Sequence, residues 1–274
     1  MRVNLARPGC APHNRAVRAV HRHRIAPGLS TASAIAALFV DERECDVSGI
    51  ALPRPEAHLV VRFGPSTATG LDVHAFGGQE QVRRKRLRGG QRAVTARLVL
   101  GAHEAVLGVP ASAIAGRIVT LEDLWGNAAA RRLCDRLADS RDSLAAAKIL
   151  DSAIAERVVL AHGPSRHAQL ALQACERLTR LDVNAVAVEL GVSERHLRRV
   201  FREAIGVSPK AFAKLARFRR ALRAARADVH TNWASIAARV GYYDQAHLIA
   251  EFHVIAGVTP QALLRELRAA PALG

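Results

Sequence analysis

The sequence predicts an α+β protein of two domains: a β-rich N-terminal half with helices at its end, and an all-α C-terminal third. Three observations predict it. The chain has 274 residues, about twice the commonest domain size of roughly 100–150 residues. Short apolar runs broken by Gly and Pro fill residues 57–100, and helical spacing replaces them after Gly101. The final third repeats itself, one helical unit appearing twice with a long helix between the copies.

Composition narrows the class. Half of the residues are hydrophobic and mean hydropathy is +0.05, yet no apolar run approaches the roughly 20 residues that span a bilayer. Cys10, Cys45, Cys134 and Cys175 include no pair two or three residues apart, so neither a zinc cluster nor a disulfide framework is indicated, and a reducing cytoplasm is the expected compartment. The net charge of +16 favours a polyanionic partner, because neutralised phosphates release their counterions. Membrane lipid would satisfy the same charge, and a GC-rich genome would also enrich Arg, so the position of the charge matters more than its sum. Residues 1–25, with Arg2, Arg7, Arg15 and Arg18 before a His-Arg-His-Arg run, lack the apolar stretch of a secretory signal. They read as a disordered basic arm, and a start assigned upstream of the true one would look the same.

Residues 26–160 form the expected N-terminal domain. The runs HLVVRFGP, GLDVHAFGG and QRAVTARLVLG read as strands. Between the last two lies RRKRLRGG, residues 83–90, read as a basic loop at a hairpin tip in preference to a phosphate contact. Pro110 and Gly116 then punctuate short helices, Trp125 is expected to pack against the strands, and residues 128–159 carry Leu133, Leu137, Leu144, Ile149, Leu150 and Ile154 at the spacing of two helices joined near 140–143. Gly, Pro and Ser in LAHGPSRH mark a linker over residues 161–167, with the repeated domain at 168–270.

The repeat aligns LGVSERHLRRVFREAIGVSP with VGYYDQAHLIAEFHVIAGVTP. Gly191 matches Gly241, Phe201 matches Phe252, Gly206 matches Gly257 and Pro209 matches Pro260, with one extra residue in the second turn. Each copy is a short apolar helix, a Gly-containing turn and a second helix, the order of a helix-turn-helix. The turn glycine ends the first helix in a left-handed conformation, and Ser193 or Asp244 caps the next helix. In the first copy Leu197, Val200 and Phe201 define an inward face, while Arg195, His196, Arg198, Arg199 and Arg202 crowd the rest. An outward basic face on the second helix of such a unit suits the major groove, where an Arg fork holds guanine O6 and N7. Ser193, Arg195, His196, Arg198, Arg199 and Arg202 are therefore candidate DNA contacts, joined from the second copy by Gln245 and His247. The intervening KAFAKLARFRRALRAAR places Phe212, Leu215, Phe218 and Leu222 on one helical face. Its Lys210, Lys214 and Arg217 are candidate contacts to the DNA backbone, with a solvated polar face as the equal alternative.

The tandem units GVSERHLRRVFREAIGVSP and GYYDQAHLIAEFHVIAGVTP resemble the AraC/XylS family of transcription regulators, and the resemblance covers the final third. GVPASAIAGRIVTLEDLWG more weakly resembles the sensory half of some of these regulators. The resemblance implies a small cupin-like barrel with trailing helices at the N-terminus, used for effector binding, dimerisation or both. It also implies double-stranded operator DNA as partner, with RNA polymerase, a small-molecule effector and a second copy of the chain as further candidates, and no membrane. The second unit departs from the family pattern: Ala250 and His253 stand where Arg or Lys is common. From residue 229 onward Arg239, Arg265 and Arg268 face Asp244, Glu251 and Glu266, so the first unit is expected to supply most of the binding energy.

Two rival readings come from other classes. A DNA-repair methyltransferase carries the same kind of domain behind closely arranged cysteine thiolates, which the spacing here does not provide; no catalytic motif, cofactor loop or metal-spaced His pair is found. His58, His74 and His103 fall on or just after predicted strands and read as ordinary histidines in preference to metal ligands. A non-specific chromosomal DNA binder would share the basic charge but has no need of tandem recognition helices.

Overall fold

The computed structural model describes residues 20–65, 67, 69–161, 163, 165–227, 232–270 and 272–273. The N-terminal domain contains strands β1 (Val20–Ile25), β2 (Ile35–Arg43), β3 (Val47–Ala51), β4 (His58–Phe63), β5 (Leu71–Phe76), β6 (Arg83–Leu87) and β7 (Gln91–Leu98). Helices α1 (His103–Leu107) and α2 (Ala111–Ile114), strand β8 (Ile118–Thr120), and helices α3 (Leu121–Trp125), α4 (Asn127–Ala138) and α5 (Ser143–Leu160) complete it. The C-terminal domain is α6 (Arg166–Arg177), α7 (Val183–Glu189), α8 (Glu194–Ile205), α9 (Pro209–Ala227), α10 (Trp233–Val240), α11 (Gln245–Ala256) and α12 (Pro260–Ala269), followed by the short strand β9 (Ala272–Leu273).

Six strands form an antiparallel sheet in the order β1-β2-β7-β4-β5-β8. Alternation decides its two faces. Leu59, Val61 and Phe63 of β4 and Val94, Ala96 and Leu98 of β7 are buried against Leu133, Leu137, Leu150 and Ile154 of α4 and α5. Glu42, on this face of β2, accepts a hydrogen bond from Ser143 Oγ at the start of α5. The opposite face is mixed: it carries the polar Asp41 and Arg43 of β2, His58 and Arg62 of β4, and Asp72 and His74 of β5, alongside the apolar Val60 and Phe76. On that side Arg62 holds Asp72 through two hydrogen bonds of 2.8 and 2.7 Å, and Arg22 lies 3.6 Å from Asp41. A second, smaller sheet pairs β6 with β3 in antiparallel register and adds β9 in parallel to β3.

The structure corrects several expectations. Among the described residues the sheets are open and no barrel closes, since β1 and β8 are opposite edges of the larger sheet and the smaller sheet is separate from it. Residues 83–87 are strand β6 rather than loop. Their cations hid the alternation, because one face of this strand meets a polar cavity and the other meets the C-terminal domain, so neither demands apolar side chains. Residues 20–25 are strand β1, paired along its length with β2, so the basic arm read over residues 1–25 does not reach its stated end; residues 1–19 lie outside the described residues. Strands β1, β2 and β3 precede the stretch 57–100 that read as strands.

Two further cores build the C-terminal domain. Ala171, Ala174, Leu178, Val186, Leu197, Phe201 and Ile205 enclose the first helical unit. Leu215, Phe218, Leu222, Ile236, Leu248, Phe252 and Leu263 enclose the second. Helix α9 belongs to both: Phe212 packs on the first core and Leu215 onward is inside the second, so the helix fixes one unit against the other. Ile50 of β3 also enters the second core, which ties the smaller sheet to that unit.

Candidate nucleic-acid interface

Each unit is assembled by local chemistry. Asp182 caps α7 by accepting from Ala185 N, and Asn232 caps α10 by accepting from Ser235 N. The turns run through Gly191 and Gly241, at φ +66° and +88°, a left-handed region that an L side chain enters only with strain. Ser193 Oγ then accepts from His196 N at 3.2 Å to start α8, and Asp244 accepts from His247 N at 2.7 Å to start α11. Phe201 and Phe252, at matched positions, are both fully buried. The repeat in the sequence is thus a repeat of caps, turn and core anchor.

Helix α8 buries Leu197, Val200, Phe201 and Ile205 and exposes Arg195, Arg198, Arg199 and Arg202. Its face is less purely basic than the sequence suggested. Arg198 pairs with Glu194 and Arg199 lies 3.2 Å from Glu203, each one turn along the helix. Exposed pairs of this kind stabilise by only about 0.3–0.5 kcal/mol, so a phosphate or a guanine edge can take either Arg away from its partner. Among the described residues no ion pair engages Arg195 or Arg202. His196 is half-buried, edge-on to His167 with ring centroids 6.0 Å apart.

Between the units runs a cleft of about 780 Å³ whose lining includes Arg198, Lys210, Lys214, Arg217 and His247. Lys210, Lys214 and Arg217 are the three linking-helix cations that the sequence offered as backbone contacts, and the fold gathers them with members of both recognition helices. Arg220, which sequence reasoning passed over, donates to Thr179 O, ahead of α7, and to Val240 O at the end of α10, and so ties both units to α9.

The second recognition helix, α11, exposes Gln245, Ala246, His247 and Ala250. His247 is edge-on to Tyr242, 5.3 Å between centroids. Glu251, counted as part of this unit's surface balance, is buried: it accepts from Tyr242 OH at 2.8 Å and from Arg217 Nη2 at 3.0 Å. Burial and the Glu251 carboxylate push the Tyr242 phenol well above its ordinary pKa, so the hydroxyl stays a donor. Tyr243, one residue on, is 93% exposed in the turn before α11; its aromatic type beside a helix start was the available signal, and the sequence reading did not use it.

His58, His74 and His103 do not converge on a metal position: among the described residues no group of three or more His, Cys, Asp and Glu side chains is placed to hold one. His103 is buried and its Nε2 accepts from Ala57 N at 3.2 Å. No helix among the described residues is long and apolar enough to cross a membrane.

Residues 171–266 match the family described as a helix-turn-helix domain, HTH_18, of AraC type. The matched segment begins within α6 and ends within α12, so it contains both units and the linking helix. The C-terminal third is therefore a helix-turn-helix domain of AraC type. Among solved structures, the C-terminal domain of AraT, a response regulator from Geobacillus stearothermophilus, is similar at 23% identity over 40% of this chain and 92% of that one, with a TM-score of 0.35. The DNA-binding domain of AdpA, a global transcriptional factor solved in complex with a target DNA, is similar at 26% identity over 38% and 93%, with a TM-score of 0.32. ToxT from Vibrio cholerae O395 is similar at 10% identity over 91% and 98%, with a TM-score of 0.39. No curated protein matches the chain.

Proposed function

We propose that the chain recognises an operator sequence through its first helix-turn-helix unit, with the second unit and the linking helix holding register. The observation that carries this reading is the asymmetry of the exposed surface. Helix α8 presents four exposed Arg residues, whereas the exposed N-terminal part of α11 offers Gln245 and His247 and no formal cation. Arg195, His196 and Arg199, near the start of α8, are the candidate base readers, because the N-terminal part of a recognition helix lies deepest in the major groove. Ser193 is committed to its cap and adds a hydroxyl at the same end. Arg198, Arg202, Lys210 and Lys214 supply phosphate contacts, and Arg217, engaged with Glu251, acts chiefly as a structural strut.

The test is equilibrium binding of the full chain to DNA from upstream of its own and neighbouring genes, against a scrambled duplex, near physiological salt. The expected result is a preference for one fragment of about a thousandfold or more, lost in Arg199→Ala. The paired variant Gln245→Ala with His247→Ala should weaken binding far less; equal losses from the two would overturn the asymmetry. Equal affinity for both duplexes would favour a non-specific binder. Burial raises the Cys134 thiol and pushes the Cys175 thiol up to about 12, which disfavours these two as the reactive thiolate that the repair-enzyme alternative needs.

A further inference from the structure

The two helix-turn-helix units differ in length by one residue, and the structure identifies it as Tyr243. In the first turn Val192 N donates to Ala187 O, and in the second Tyr242 N donates to Ala237 O, both at 3.0 Å. Ser193 and Asp244 then cap α8 and α11 by the same bond, to the backbone N–H three residues on. Val192 therefore corresponds to Tyr242 and Ser193 to Asp244, which leaves Tyr243 between them as the insertion.

The two tyrosines have opposite fates. Tyr242 enters the core of the second unit and gives its hydroxyl to Glu251. Tyr243 stands almost wholly in solvent, and among the described residues no hydrogen bond or ring contact engages its side chain. A residue inserted only to lengthen a turn is served by Gly, Asn, Asp or Ser. A phenol ring there adds nothing to either core and holds out a large, rigid, amphipathic surface of the kind enriched at interfaces.

Its place in the fold says what that surface meets. Tyr243 immediately precedes the cap of α11, its backbone N 3.5 Å from His247 Nδ1, at the end by which a recognition helix enters the major groove. No Lys or Arg occurs from Gly241 to Ala256, so this unit has no fork with which to hold guanine, and the exposed Ala246 and Ala250 leave room beside the ring. What the major groove offers an apolar ring is the C5-methyl group of thymine.

We propose that Tyr243 determines the sequence preference of the second unit by packing its ring against a thymine methyl group. This role rests on the proposed operator recognition and gives the near-neutral unit a means of reading sequence without charge. It leaves the first unit dominant in affinity, because one methyl contact is worth less than a bidentate Arg on guanine.

The experiment selects from duplexes with a randomised core, using the full chain as wild type, Arg199→Ala and Tyr243→Ala, and compares the enriched sequences. The wild type should enrich two blocks about one helical turn apart. Arg199→Ala should erase one block, and Tyr243→Ala should remove a thymine from the other and leave the rest unchanged. The enriched duplex is then remade with uracil at that thymine, which removes the methyl group alone. Uracil should weaken the wild type about fourfold, the scale of one buried methyl group, and leave Tyr243→Ala indifferent. Tyr243→Phe should keep the discrimination. An equal loss from uracil in the wild type and Tyr243→Ala would show that another residue reads the methyl group, and a loss in Tyr243→Phe as large as in Tyr243→Ala would make the hydroxyl the contact; either overturns the proposal. A lower melting temperature for Tyr243→Ala with an unchanged enriched sequence would make Tyr243 a structural turn residue and overturn it too. A wild-type chain that binds DNA but enriches no sequence fails the operator reading, whereas one that enriches the same sequence as Tyr243→Ala fails this inference alone.

Discussion

Glu251 offers the sharpest test of how the second unit is held together. Its carboxylate is 3% exposed and is the shared acceptor for Tyr242 OH and Arg217 Nη2. Tyr242 is itself 5% exposed, so Glu251→Ala takes away the acceptor of its phenol and the counter-charge of the Arg217 guanidinium. Breaking a buried ion pair by removing one member costs about 3–5 kcal/mol. The Arg217 side chain retains 26% of its exposure, and water can recover part of that loss, which puts the expected cost near the lower end, about 3 kcal/mol. For a domain of this size about 1 kcal/mol moves the melting temperature by roughly 4–8 °C, so the second unit should melt at least about 12 °C lower.

Trp233 reports on this unit directly, its ring packed edge-on to Phe252 with centroids 5.8 Å apart. The only other tryptophan is Trp125, so a Trp125→Phe background isolates the signal in thermal unfolding followed by fluorescence. Glu251→Gln keeps an oxygen for Tyr242 and should cost only about 1–2 kcal/mol. Tyr242→Phe combined with Glu251→Ala should cost less than the sum of the single changes, because the orphaned hydroxyl leaves with its acceptor. A shift below about 4 °C for Glu251→Ala, or strict additivity in the double variant, would refute the account of Glu251 as a buried keystone.

Three other outcomes follow from the geometry. His103 is 2% exposed and neutral in the folded chain, with burial lowering its pKa to about 4 against a small opposing effect of Glu56. Because the folded pKa lies below the unfolded value, its contribution is complete above about pH 6.5 and is lost as pH falls toward 4. Stability should drop by about 2 kcal/mol between pH 7 and pH 5 on its account; His103→Gln, which keeps an acceptor for Ala57 N, should flatten that slope in urea unfolding. Asp244→Ala removes the cap of α11 and should lower stability by about 1 kcal/mol, visible in the same Trp233 melt, while Asp244→Ser should restore most of it. Lys210→Ala and Lys214→Ala should weaken operator and scrambled duplexes alike and reduce the salt slope of binding by about one per cation.

The C-terminal domain was legible because its determinants are local. A cap, a turn glycine and a buried Phe recur at fixed spacing, and Ser193, Asp244, Gly191 and Gly241 do their work within a few residues of where they stand in the chain. The inward faces of α8 and α9 follow from the period of the helix alone. The outward Arg residues of α8 were equally legible, since a helix that buries Leu197, Val200 and Phe201 has no other side on which to carry them.

The sequence by itself determined the helical repeat, its caps and its basic first unit. It did not determine what depends on pairing across the chain. RRKRL reads as a loop until β3 lies beside it and the cavity and the C-terminal helices take up its two faces. Glu251 reads as surface charge until Tyr242 and Arg217, nine and thirty-four positions away, close over it. Periodicity records which side of an element is apolar. It cannot record that a polar side has been folded against another polar side, and there the partners' hydrogen bonds and charges, which only the tertiary structure brings together, settle whether a group is solvated or satisfied.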